Sequence, residues 1–274
     1  MTNHYSKTEQ VGDSRLGWIF GCSHIGPSHH QEKTPNQDSY NLCSGSFAGY
    51  SYLTACVADG HGNKKYKNSH IGSSYAVQDA TYVLGKMILE DDFGKNFKAD
   101  FPKRITKQWD HSVKLHDEKL SPKPVEVEQD KSKLFGTTLI SALLYKSNLY
   151  LGQIGDGLVV YLDENNNTDK LIPEASETLV GGATDSMSSN GPINLFRTAI
   201  RDVSKGGHLF ILTDGLENAF KNEVQVDIWV KDFKKLLDEH GKEKIAKELP
   251  AWLKKYSDCS GDDITVAIMQ IEPA

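Results

Sequence analysis

The sequence predicts an α+β fold, and three observations predict it. Apolar, β-branched runs cluster at the start, in the middle and at the very end of the chain. Two pairs of amphipathic helical segments separate those clusters. Strands and helices therefore come in blocks, not in the strict alternation that builds a parallel sheet.

Gly17–His24, Ser39–Ser46 and Tyr50–Ala58 read as strands, the second turning into the third across Ser46 to Gly49. Residues 1–12 are polar and read as a flexible tail ahead of a single domain over 13–274. Ser69–Glu90 reads as a helix with Ile71, Tyr75, Gln78, Tyr82 and Met87 near one face. In the next helix Phe97, Phe101, Ile105, Trp109 and Val113 recur every four residues and form one apolar stripe. Pro102 lies in its first turns and marks its expected start, since proline is tolerated only there. Ser121 to Lys133 is a charged, proline-containing linker. Leu134–Tyr145, Asn148–Gly155 and Leu158–Asp163 follow as strands. Glu174–Pro192 is rich in Ser, Gly, Thr and Asn and lacks periodicity, which predicts a surface flap. Gly207–Thr213 is a short strand, Val226–Glu239 and Glu243–Tyr256 are helices with a break expected at Pro250, and Asp263–Ile271 closes the chain.

The charge balance excludes some functions. With 31 basic and 37 acidic residues the net charge is −6, and no long basic tract exists, so a phosphate-neutralising face for nucleic acid is disfavoured. Cys22, Cys43, Cys56 and Cys259 lack CxxC spacing and read as thiols in a reducing compartment. The first ten residues hold no apolar stretch, and no run of roughly 18 apolar residues occurs. The expectation is a cytoplasmic monomer with neither a membrane nor a nucleic-acid partner.

The chemistry lies in where the aspartates sit. Asp59 follows the strand Tyr50–Ala58, Asp214 follows the strand before it, and Asp262 precedes the last strand. Asp156 occupies a turn between strands, and Asp38 precedes another. Each alone could cap a turn. Together they can converge, and converging carboxylates raise one another's pKa unless a cation offsets them. An all-oxygen donor set suits magnesium or manganese. In Asp59-Gly60-His61-Gly62, Gly60 leaves its carbonyl free to approach a metal, Gly62 permits a sharp turn, and His61 is placed to donate a proton.

Six short motifs then resemble, in order, those of metal-dependent protein phosphatases of the 2C type. They are Asn36-Gln37-Asp38, Asp59-Gly60-His61-Gly62, Gly136-Thr137-Thr138, Gly155-Asp156-Gly157, Thr213-Asp214-Gly215-Leu216 and Gly261-Asp262-Asp263-Ile264-Thr265. They span about residues 17–271, and Gly21 to His24 followed by Pro35 to Asp38 resembles a bacterial branch. The resemblance implies an antiparallel β-sandwich flanked by pairs of α-helices, and a protein serine/threonine phosphatase acting on phosphorylated proteins. It implies two Mg2+ or Mn2+ ions and a third, weaker site. Asp59 would bridge two ions, with the Gly60 carbonyl on one, and Asp214 and Asp262 would hold the other. Asp38 would act through metal-bound water, and Asp156 would share the weaker site with Asp214. His61 would be the general acid. Ions about 3.5–4 Å apart would activate a bridging water for in-line attack.

Departures accompany the resemblance. Many relatives carry a phosphate-binding Arg where Lys33 stands, so Lys33 is the expected phosphate-binding residue, giving charge without the bidentate fork. Relatives carry an acidic residue where Gln37 stands, and a Ser-Arg pair where Gly157-Leu158 follows Asp156. His24, His29, His30 and Lys33 either face phosphate or belong to a plain loop. Two other readings compete: a catalytically dead relative that binds phosphoproteins, which lacks the usual mark of a lost metal aspartate, and a metal-dependent nuclease, which the net charge disfavours.

Overall fold

Alternation along each strand sorts its side chains into two layers. In β10 (Gly207–Leu212), Leu209 and Ile211 face a second sheet while Phe210 and Leu212 face helices. In β11 (Ile264–Ile271), Ala267, Met269 and Ile271 face the second sheet, and Ile264, Val266 and Ile268 face helices. β4 (Tyr50–Ala58) and β5 (Leu139–Tyr145) repeat the pattern from the other side, with Leu53, Ala55, Val57, Ile140 and Ala142 facing inward. Strands covered on both faces must be apolar throughout, which is why these runs look continuous in sequence.

The computed structural model describes residues 6–13, 15–120, 131–173, 184–220 and 222–274. The remaining strands are β1 (Ser6–Asp13), β2 (Gly17–His24), β3 (Ser39–Phe47), β6 (Asn148–Ile154), β7 (Leu158–Leu162), β8 (Thr168–Lys170) and β9 (Arg197–Asp202). One sheet has the order β1-β2-β11-β10-β7-β8 and the other β3-β4-β5-β6-β9, with every pairing antiparallel. Helices α2 (Ser69–Met87) and α3 (Phe93–Leu120) cover the second sheet, and α5 (Glu223–His240) and α6 (Lys242–Ser260) cover the first. Two short helices, α1 (Pro27–Glu32) and α4 (Asp214–Glu217), sit between strands. The result is the expected α+β sandwich flanked by helix pairs. No described helix is long and apolar enough to cross a membrane.

Several boundaries differ from expectation. From Ser6 the supposed tail is paired as β1, in register from Ser6 opposite His24 to Asp13 opposite Gly17. An edge strand needs only backbone groups to pair, so no apolar pattern announces it. Helix α3 begins at Phe93, leaving Pro102 in its interior. An interior proline costs about 3 kcal/mol, and burial of Phe93, Phe97 and Phe101 on the same stripe outweighs it. Helix α6 likewise runs through Pro250 unbroken, with Leu249 and Leu253 buried on either side. On α2 the buried face is Ala76, Val77, Ala80, Val83, Leu84 and Met87, and Tyr82 is exposed. Residues 131–135 form a 3-10 turn that takes in Leu134 and Phe135, the expected start of the strand, and β5 begins only at Leu139. Of the expected flap and linker, residues 174–183 and 121–130 lie outside the described residues.

His208, on β10, is buried facing α5, where Lys234 and Asp238 lie. Burial first, and then the Lys234 charge, lowers its pKa to about 4. The unfolded chain takes up that proton near pH 6.5, so between about 6.5 and 4 the unfolded state binds more protons. Stability carried by neutral His208 is therefore full above pH 6.5 and is lost as pH falls, at up to about 1.4 kcal/mol per pH unit. Urea unfolding at pH 7 and pH 5 should show a smaller loss for His208→Gln than for the wild type; an equal loss would refute this account.

Candidate active site

Antiparallel register decides which strand ends meet. The C-terminal ends of β2, β4, β6 and β10 and the N-terminal ends of β3, β5, β7 and β11 all fall at one rim of the sandwich. Asp38, Asp59, Asp156, Asp214 and Asp262 each adjoin one of those ends. Residues up to 224 positions apart are thus gathered by pairing alone (Asp38 to Asp262).

The loop after β4 is clamped by the segment before β5. The Asp59 amide donates to Thr138 Oγ1 at 3.0 Å, and Thr138 N and Thr137 Oγ1 both donate to the Asp59 carbonyl at 2.8 Å. His61 N donates to the Gly136 carbonyl at 3.1 Å. This explains Gly136-Thr137-Thr138 better than strand pairing does. A Cβ on Gly60 would lie 2.7 Å from the Gln37 carbonyl oxygen and 2.8 Å from that of Ser69. Close packing, more than metal access, is what this structure requires of Gly60. Gly62 does not adopt a left-handed backbone, and the chain bends just after it, at residues 63–65. The Asp156 turn does need glycine, because Gly155 and Gly157 have φ of 89° and 86°.

Carboxylate oxygens of Asp59, Asp156 and Asp214 lie within 4.8 Å of one another. Burial, and then the charges of Asp38 and Asp214, holds Asp59 well above the usual carboxylate range. Asp38 is raised by burial and by Asp263, while the hydroxyl of Thr213, donating to Asp38 Oδ2 at 2.9 Å, pulls the other way. Asp262 is raised by burial and by Asp214. Asp156 is exposed as a residue yet desolvated at its carboxyl end, and this, with the Asp214 charge, raises it too. Thr184 Oγ1 donates to Asp156 at 2.9 Å, and Asn218 Nδ2 to Asp214 at 3.0 Å. A cluster of hard oxygen donors that suppress one another's ionisation fits a divalent cation.

His61 stacks on Tyr66, with ring centroids 4.8 Å apart. Burial and the Lys65 charge lower its pKa to about 4. Lys33 caps the C-terminus of α1 with a left-handed backbone (φ 56°) and an exposed side chain.

Sequence reasoning gave no role to Asp263. It is 3% exposed and accepts from Gly26 N at 2.6 Å and from Gln37 N at 2.7 Å. His29 Nδ1 lies 2.9 Å from Oδ2, the oxygen that accepts from Gln37 N. Asp263 thus fastens the β2–β3 loop to the start of β11. Only its place beside Asp262 and in a buried strand lead-in could have flagged it.

The four layers and the acidic rim place the chain in a class of proteins that the comparisons identify. A model of the family "Protein phosphatase 2C" matches residues 25–254. The chain belongs to that family, the metal-dependent serine/threonine phosphatases. Solved structures share the fold. The serine/threonine phosphatase Stp1 from Staphylococcus aureus is 16% identical with a TM-score of 0.64, covering 96% of this chain and 99% of that one. The S. agalactiae serine/threonine phosphatase is 17% identical with a TM-score of 0.58, covering 98% and 100%. RsbX in complex with magnesium is 13% identical with a TM-score of 0.54, covering 97% and 100%. No curated protein matches the chain.

Replacing one crowded carboxylate by its neutral amide removes repulsion from the metal-free rim. Metal-free Asp59→Asn should therefore melt about 2–4 °C above the wild type at pH 7.5. Mn2+ should raise the wild-type Tm, because a ligand of the folded state stabilises it, and should raise that of Asp59→Asn much less. A Tm indifferent to Mn2+ in the wild type, or an equal rise in both, would count against a cation site at this rim.

Proposed function

We propose that the acidic rim hydrolyses phosphoserine and phosphothreonine monoesters of proteins. The observation that carries this reading is the cluster of Asp59, Asp156 and Asp214, with Asp38 and Asp262 near enough to interact electrostatically with it, in a chain of this family. Asp59, Asp214 and Asp262 are the proposed ligands of two Mg2+ or Mn2+ ions, with the Gly60 carbonyl as a further donor. Asp156 and Asp214 would hold a third, weaker one. When bound, such ions lower the pKa of a coordinated water and offset charge on a phosphoryl group.

The chain's own residues do the rest. Buried Asp38, fixed by Thr213, orients a water molecule at the rim instead of contacting an ion. His61 is held in place by its backbone bond to Gly136 and by the Tyr66 ring. In the ligand-free chain it is neutral at pH 7, its pKa near 4. An arriving phosphoryl dianion supplies negative charge beside it and favours the imidazolium. That imidazolium can then give its proton to the departing serine or threonine oxygen. No nucleophilic side chain is required, which agrees with four cysteines scattered along the chain.

The test is turnover of p-nitrophenyl phosphate and a phosphoserine peptide with Mn2+, with and without chelator. Activity should vanish on chelation and in Asp59→Asn and Asp214→Asn; survival under either condition would falsify the assignment. His61→Ala should lower kcat for the phosphopeptide about 100-fold, within the range of general acid catalysis. It should affect p-nitrophenyl phosphate far less, because nitrophenolate leaves without a proton. Equal losses on the two substrates would remove His61 as the acid.

A further inference from the structure

Beside the Asp59 to Gly62 loop, three groups face one small space that no assigned residue uses. The point where a Cβ on Gly62 would sit lies 3.5 Å from Gln37 Oε1 and 4.0 Å from His29 Nε2. The Gln37 oxygen is buried and has no hydrogen-bond partner. An amide has two ends of the same shape, so a half turn would present its NH2 to the same space. The third group, His29, is oriented by Asp263, whose Oδ2 lies 2.9 Å from Nδ1. The ring N–H points off that line, so the contact is close without being an aligned hydrogen bond. A carboxylate only accepts, so Nδ1 carries a proton and Nε2 is the end turned toward Gly62.

We propose that His29, held by Asp263 and assisted by Gln37, binds the phosphoryl oxygens of the substrate next to His61. This inference rests on the phosphatase reading and adds a residue to its substrate site. It answers the question posed by Lys33, which stands where relatives carry arginine but is exposed at the end of α1. The phosphate-facing charge is supplied one turn earlier in α1, by a side chain buried enough to be positioned. Contact with Asp263 raises the His29 pKa against the effect of partial burial, and an arriving phosphoryl dianion would favour a second N–H at Nε2. Gly62 keeps the space open, and any side chain there would enter it.

The experiment must separate contact with phosphate from mere bracing of the loop. Asparagine can replace Nδ1 with its own amide nitrogen but offers nothing at the Nε2 position. We would measure the Kd of inorganic phosphate for the Mn2+-loaded chain by calorimetry, alongside the Ki of phosphate and the KM for p-nitrophenyl phosphate. His29→Asn and His29→Ala should both weaken phosphate binding and raise KM about tenfold, the effect of losing one charge-assisted hydrogen bond. The Mn2+ concentration for half-activation and the Tm should stay near wild type in His29→Asn. Wild-type phosphate affinity in His29→Asn would show that the histidine only braces Asp263, and the inference would be rejected. Calorimetry decides this point without turnover, whereas loss of the phosphatase reading itself would show as a wild type inactive with Mn2+.

Discussion

Buried carboxylates repel one another, and the rim of the sandwich is organised around that repulsion. Asp38, Asp59, Asp156 and Asp262 all have raised pKa values for the same two reasons, loss of water and proximity of other acids. Left to itself such a group would spread apart or stay protonated. The chain prevents spreading with short, specific bonds. Thr137 and Thr138 fix the backbone of Asp59, Thr213 fixes the carboxylate of Asp38, and Asn218 fixes that of Asp214. What the bonds do not remove is the excess negative charge, and that residue of charge is what gives the rim its affinity for cations.

Fixed loops need a frame that does not yield. Two sheets share one inner layer and each carries a helix pair outside, so most strands are packed on both faces. The aromatic stripe of α3 reaches the sheet through Phe101, which packs so closely on Gly152 that a Cβ there would lie 2.5 Å from its ring. Trp109 ties α3 to α2 by donating to the Gly72 carbonyl at 3.0 Å. Gly215 brings the start of α4 against the Asp263 carbonyl, where a Cβ would lie 2.0 Å from the oxygen. These contacts make the positions of Asp214 and Asp262 consequences of core packing, and displacement of either would require repacking a buried layer.

The elements legible in the sequence were those whose signal is burial. The continuous apolar runs of β4, β5 and β10 and the four-residue spacing of α3 are direct imprints of layers covered on both faces. The aspartates were legible for a related reason, since an acid abutting an apolar run must sit where the strand leaves the core. What escaped had no such imprint. β1 and the half-exposed β9 pair at sheet edges through backbone groups, which any sequence possesses. Pro102 and Pro250 carry a strong local preference that tertiary burial overrides. Asp263 looked like a duplicate of Asp262, and its role depends on Gly26 and Gln37, more than 220 residues away.

In the proposed reaction the two histidines near Gly62 divide the electrostatic work between them. His61 is partly buried and lies near the Lys65 ammonium, and these surroundings hold it neutral. His29 sits against a buried carboxylate, and these surroundings favour its cation. A histidine whose proton is favoured by a fixed carboxylate can help draw phosphate in and orient it. A neutral imidazole charged only by the bound phosphate cannot hold the ligand, but it holds a proton just when a leaving oxygen needs one. Had both rings shared one environment, one of these tasks would lack a group suited to it. Their opposite surroundings follow from two separate loops, one leaving β4 and one joining β2 to β3, which antiparallel register delivers to the same rim.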